Sequence, residues 1–138
     1  MAWAKTVAVI LAMIAAGREE GRMAAEPLKP PVAVESFLNL DIRVGRVAEV
    51  QPFPRARNPS YKVAVDLGDL GVKWSSAQIT HYAPDDLVGA QVVCVCNFPP
   101  RNIAGFQSEV LILGARNAEG NVIVLTPWSA VPPGETVY

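Results

Sequence analysis

The sequence predicts an all-β protein: a small closed barrel of five short strands, with a helical turn between the third and fourth. Three observations carry that expectation. Apolar and polar residues alternate at period 2 in several short runs. Pro and Gly, 12 and 10 among 138 residues, punctuate those runs. One long run changes phase in its middle, the mark of a strand that bends to serve two sheets. With 51% hydrophobic and 18% charged residues, the chain has enough apolar surface for one packed domain and is unlike a disordered polymer.

The first 36 residues stand apart as an extension and Pro-rich linker, helical or disordered. Val7 to Ala16 is an unbroken apolar run between Lys5 and Arg18-Glu19-Glu20. A spanning helix needs ~20 apolar residues, so this run is too short to insert across a bilayer. Its basic start and the small residues Ala15 and Gly17 fit a leader. The plainer alternative is an over-extended start, with Met23 opening Met-Ala-Ala-Glu-Pro. Pro27, Pro30 and Pro31 then stop any helix.

From residue 37 to 138 the chain reads as one domain. Leu40, Ile42 and Val44 alternate with Asp41 and Arg43, and Val47 and Val50 resume on a shifted phase after Gly45. The glycine is the expected bulge. Pro52 to Ser60 is a loop carrying Arg55 and Arg57. Tyr61, Val63, Val65 and Leu67 mark a second strand, Gly68 to Gly71 a turn, and Val72 to Gln78 a third strand. Pro84-Asp85-Asp86 suits the start of a short helix, with Pro early and acids near its N-terminus. Ala90 to Phe98, nearly all apolar, reads as a central strand ended by Pro99-Pro100. Glu109 to Leu113 and Asn121 to Leu125 complete the set, with a turn at Asn117 to Gly120. The arrangement is that of the OB-fold, a five-stranded Greek-key barrel; an SH3-like barrel is the alternative.

Catalytic chemistry finds little to stand on. His81 is the single histidine, and neither a G-x-S-x-G elbow nor a Cys-Gly nucleophile signature is present. Cys94 and Cys96 share a strand face but lack the ligand count and spacing of a metal site; they read as small core hydrophobes. No phosphate-binding glycine loop occurs. The expectation is a binding protein with no catalytic residue, cofactor or metal.

Charge is distributed unevenly. Residues 41–73 hold Arg43, Arg46, Arg55, Arg57, Lys62 and Lys73 against Asp41, Glu49, Asp66 and Asp69, a net of +2. Residues 74–138 hold Arg101 and Arg116 against five acids, a net of -3. The face around strands two and three is the usual OB-fold ligand platform. Tyr61 and Trp74 there can stack on bases or on apolar side chains. Solvated surface charge over core aromatics explains the same pattern equally well.

Six segments in order carry a resemblance. They are Phe37 to Val50, Ala56 to Lys62 (A-R-N-P-S-Y-K), Ser75 to Thr80 (S-S-A-Q-I-T), Pro84 to Gly89, Val95 to Arg101 (V-C-N-F-P-P-R) and Ile103 to Gly114. Together they resemble the tRNA-binding OB-domain family. The S-S-A-Q-I-T and N-F-P-P-R-x-I wording is most similar to its free-standing CsaA branch, dimeric bacterial chaperones associated with protein export. The same domain also ends many methionyl-tRNA synthetases.

The resemblance implies a cytoplasmic homodimer that binds unfolded or export-bound polypeptides and, weakly, tRNA. A tRNA-binding accessory protein or a synthetase-type module is the alternative. The implied peptide- and tRNA-binding residues are Lys73, Trp74, Ser75, Ser76, Gln78, Asn97, Arg101 and Phe106, with polypeptide in a groove beside Ser75, Ser76 and Gln78 flanked by Trp74 and Phe106, and with Arg43, Arg55, Arg57 and Lys62 contacting phosphates. Asn58 and Trp74 stand where relatives often carry a basic residue. Those two positions lower the RNA affinity to be expected and favour polypeptide. A cytosolic family also favours the start at Met23 over a leader.

Overall fold

A computed structural model describes residues 25–138. The apolar run at Val7 to Ala16, and the helix or disorder expected of it, lie outside the described residues. The first element is a helical turn, α1 (Glu35–Leu38), followed by the eleven-residue strand β1 (Ile42–Pro52). After it come β2 (Tyr61–Asp66), a 3-10 turn (Gly68–Leu70), β3 (Val72–Ala77), α2 (Pro84–Leu87) and β4 (Gln91–Val95). Five short strands finish the chain: β5 (Arg101–Ile103), β6 (Phe106–Ser108), β7 (Leu111–Ile112), β8 (Gly114–Arg116) and β9 (Val122–Val124).

The main sheet is antiparallel in the order β3-β2-β1-β4-β7. β1 serves two neighbours by being long: Ile42–Arg46 pair with β4, and Arg46–Pro52 pair with β2. The gap between β3 and β7 is bridged by the segment leading into β7. Glu109 Oε2 accepts the Trp74 N–H at 2.9 Å, Ser108 Oγ accepts the Ser76 N–H at 3.0 Å, and the Glu109 N–H donates to Trp74 O at 2.7 Å. The result is a nearly closed OB-like barrel. These groups also occupy the edge of β3, which would otherwise be open to strand addition.

The bulge lies elsewhere than the glycine suggested. Register shifts between Val47 and Glu49, with Ala48 as the extra residue, and this is what resets the inward phase from Val47 to Val50. Gly45 has a different task. A Cβ there would sit 2.3 Å from Val65 Cγ1 and 2.9 Å from Leu67 Cδ2, so the strand crosses β2 at a point where no side chain fits.

The core gathers Val47, Val63, Val65, Leu67, Ile79, Leu87, Val92, Cys94 and Val110. α2 contributes Leu87 to it; Pro84 opens the turn, and Asp85 and Asp86 lie at the positive end of its dipole. Cys94 is fully buried, and burial pushes its thiol up to about 12. Cys96 is half-buried against the core, its thiol raised first by burial and then by Asp41.

Two departures from the sequence reading shape the surface. β4 stops at Val95 rather than Phe98, because Asn97 turns aside to bridge the Asn39–Asp41 backbone. Ahead of the last strands lies a hairpin, β5–β6, turning on Ala104 (φ 49°) and Gly105 (φ 85°). Left-handed backbone at both positions is the geometry of a tight two-residue hairpin turn.

The tail closes the structure. Glu135 O accepts from Val44 N, Gly134 N donates to Val44 O, and Val137 N donates to Ile42 O. It thus covers the stretch of β1 that β2 does not reach. The Gln91 amide clasps Val131 through both its oxygen and its nitrogen. Among the described residues, no helix is long and apolar enough to cross a membrane.

Candidate ligand-binding surfaces

Strand parity sorts the S-S-A-Q run. Ser75 and Ala77 point inward opposite Val63 and Tyr61, while Trp74 and Ser76 stand on the outer face opposite Ala64 and Lys62. Ser75 is 1% exposed and its hydroxyl meets Ser76 O at 3.5 Å. It belongs to the barrel interior, and its expected place on a ligand surface is corrected. Tyr61 is likewise not a stacking platform, since it packs on the core and its hydroxyl donates to Tyr82 O at 2.9 Å.

Ser76 and Gln78 open onto a groove of about 430 Å³ between the loop before β2, the β5 strand and the β8–β9 hairpin. Arg57, Arg101 and Arg116 line it from those three elements. Among the described residues none of the three forms an ion pair; Arg116 donates only to Gly120 O within its own hairpin. Three guanidiniums, with Asn58, Ser60, Ser76 and Gln78 set among Ile, Leu and Val side chains, form a site for phosphate and ribose oxygens, or for carboxylates. Arg116 was absent from the expected site residues, because a charge at the end of the three-residue strand β8 carries no sign of which groove its hairpin overhangs.

Trp74 and Phe106 do not flank this groove. The β5–β6 hairpin lays Phe106 edge-on to Trp74 at 6.2 Å and to the buried Phe53 at 5.4 Å. Lys62 Nζ sits over both phenyl rings, 4.9 Å from the Phe53 centroid and 5.1 Å from that of Phe106. A shallow depression on one side of Phe106 includes Trp74, Gln51, Gln107 and Glu109; another includes Arg55, Pro54 and Gly105. The expected groove residues therefore fall on two surfaces, an arginine groove and an aromatic face.

Three further expected residues lie outside both. Arg43 is committed to structure: Nε donates to Asp41 Oδ1 at 2.6 Å and Nη1 to Gly134 O at 3.0 Å, which fixes the tail. Its hydrogen bond to Asp41 raises its pKa. Asn97 is consumed in the same way, accepting from Asp41 N at 2.8 Å and donating to Asn39 O at 2.9 Å. Lys73 is exposed near the start of β3 and lines neither depression. His81 is exposed, its ring 4.2 Å from that of Tyr82. Among the described residues no group of three His, Cys, Asp or Glu could hold a metal ion.

Residues 42–136 match the family described as "Putative tRNA binding domain". The chain belongs to the tRNA-binding domain family. Within that family it is similar to methionine–tRNA ligases, 40% identical over 119 residues to that of Porphyromonas gingivalis and 39% over 98 residues to that of Methanocaldococcus jannaschii. These alignments cover 86% and 71% of the chain, but only 17% and 15% of the ligases. Among solved structures it is similar to the chaperone CsaA of Bacillus anthracis, with a TM-score of 0.75 and 45% identity over 79% of this chain and 100% of that one. The CsaA chaperone protein of Picrophilus torridus gives a TM-score of 0.75 and 44% identity, covering 78% and 100%.

Proposed function

We propose that this chain is a CsaA-like, non-catalytic binding protein with two ligand surfaces. One is the Arg57–Arg101–Arg116 groove, which binds tRNA through its phosphates. The other is the Trp74–Phe106 face, which holds extended, partly apolar polypeptide. The observation that carries the proposal is the separation itself: the unpaired guanidiniums and the half-exposed aromatics belong to different depressions. Family membership supports the RNA surface, and likeness to two CsaA chaperones along their whole length supports the polypeptide surface. The tRNA binding is electrostatic and weak, since three guanidiniums are a small number of phosphate contacts.

The protein works in the cytoplasm on export-bound clients, as a homodimer. Ile123, Leu125 and Trp128 support the dimer: they are 37%, 43% and 98% exposed beside the β8–β9 hairpin. A symmetric partner removes that apolar surface from water, and two polypeptide surfaces then act on one chain by avidity.

A double dissociation tests the function. Arg57→Ala with Arg101→Ala lowers tRNA retention on filters and spares suppression of client aggregation measured by light scattering; Trp74→Ala does the reverse. If Trp74→Ala spares suppression and abolishes tRNA retention, the protein is a tRNA module with one surface.

A further inference from the structure

The arginine groove continues into a second cleft. Beneath the Pro99–Pro100 loop lies a space of about 530 Å³ walled by Phe98, the two prolines, Ile103, Val110 and Leu111. It joins the groove through residues common to both, Ser76, Arg101, Ile103 and Leu111. Phe98 and Leu111 are 45% and 46% exposed, large apolar side chains that neither the core nor the aromatic face uses. At its rim stand the Ser76 and Ser108 hydroxyls and the Glu109 carboxylate, one oxygen of which is taken by the Trp74 N–H.

We propose that groove and cleft form one bipartite site for an unpaired nucleotide of RNA. The backbone phosphates on either side of it meet Arg57, Arg101 and Arg116, and its base enters the cleft against Phe98 and Pro99–Pro100. The inference rests on the RNA reading of the groove and specifies what kind of RNA the groove prefers.

Charge and shape decide the occupant. The positive groove demands an anion, the adjoining apolar slot demands a flat, weakly polar group, and the two lie side by side. An unpaired nucleotide carries both in that relation, with an anion at every backbone step. Glu109 sets the polarity: it repels phosphate from the cleft end and leaves a carboxylate oxygen to accept from a base N–H. The Ser76 and Ser108 hydroxyls donate or accept as the base requires. A paired A-form stem cannot use the cleft, since its bases are stacked away from side chains; splayed single-stranded bases can. Stacking on an aromatic side chain tolerates any base, so the site discriminates pairing state rather than sequence.

The test is fluorescence anisotropy with the full chain. The probes are a labelled single-stranded oligonucleotide, a fully paired hairpin with the same number of phosphates, and an abasic oligonucleotide of equal length. The single strand is expected to bind at least roughly fivefold tighter than either control, the low end of what one stacked base supplies. Phe98→Ala should erase that preference while the salt dependence stays as in the parent, and Phe98→Trp should restore it. Because Phe98 is half-exposed, both variants should keep the parent's urea midpoint. Equal binding of all three probes, or preference surviving Phe98→Ala, overturns the cleft as a base site. The groove reading would still stand if Arg57→Ala with Arg101→Ala weakens every probe, and falls if that variant weakens none. Phe98-dependent binding of an acidic, aromatic peptide without Phe98-dependent binding of the single strand would make the cleft a polypeptide site and also overturn the proposal.

Discussion

The groove makes a quantitative prediction about salt. Each phosphate neutralised by a guanidinium releases condensed counterion, so the log–log slope of affinity against salt is about -0.9 per contact on duplex regions. Arg57, Arg101 and Arg116 line one groove and form no ion pair among the described residues, so three contacts are available there. The slope for bulk tRNA should then be about -2.7, and raising salt from about 50 to about 200 mM should weaken binding about 40-fold. Removing Arg57 and Arg101 together leaves one contact, a slope of about -0.9 and a loss of only about 3.5-fold over the same range. Filter binding of bulk tRNA at four or five salt concentrations reads both numbers. Arg43→Ala is the internal control, because its guanidinium is committed to Asp41 and Gly134; it should leave the slope at the parent value. A slope unchanged in the double variant, or lowered equally by Arg43→Ala, refutes the assignment of phosphate binding to this groove.

The fold makes predictions of its own. Gly45→Ala places a methyl against Val65 and Leu67 at less than contact distance, and overpacking of that kind costs ~1–3 kcal/mol, read as a lower urea midpoint; an unchanged midpoint would contradict the close crossing. Glu109→Ala leaves the part-buried Trp74 N–H without its acceptor, and at the ~1.5–3 kcal/mol that a hydrogen bond to a charged group contributes faster amide exchange at Trp74 and Ser76 should report an opened seam. Cys94 stays a thiol in the folded protein up to about 12, whereas the unfolded chain ionises near 9. The unfolded state thus releases the proton first, and stability should fall between those two pH values; Cys94→Ala should flatten that part of the curve, and an identical curve would refute the burial argument. Sedimentation at micromolar concentration should give the mass of two subunits, falling to one with Trp128→Asp; a single-subunit mass in the parent ends the dimer proposal.

Strands were legible wherever local pattern sufficed. β2 falls where alternation placed it, β3 follows the Gly68–Gly71 turn as expected although its own pattern is weak, and the turn at Gly68–Leu70 and the helix at Pro84–Leu87 follow from Gly, Pro and Asp preferences that act within four residues. The change of phase in β1 was visible too, but its cause was not. Gly45 is conspicuous in sequence, whereas the real irregularity at Ala48 follows from which residues β2 and β4 present. Three-residue strands such as β5 and β6 give alternation too little length to register, so the hairpin that separates Trp74 from Ser76 was invisible. Arg43 and Asn97 were misread for a related reason. Their partners lie 91 and 58 positions away, at Gly134 and Asn39, and an arginine spent on a tail looks in sequence like an arginine free for a ligand. Ser75 is different: it shares strand parity with the inward Ala77, yet the sequence reading placed it on the ligand surface.

Amide chemical-shift mapping tests the central claim, that RNA and polypeptide use different surfaces, most directly. The labelled protein is titrated separately with a short single-stranded RNA and with an extended apolar peptide. RNA should move amides of Arg57, Asn58, Ser76, Gln78, Arg101 and Arg116. Peptide should move those of Gln51, Trp74, Phe106 and Gln107. The same set of amides moving with both ligands would contradict the account and return the protein to a single shared surface.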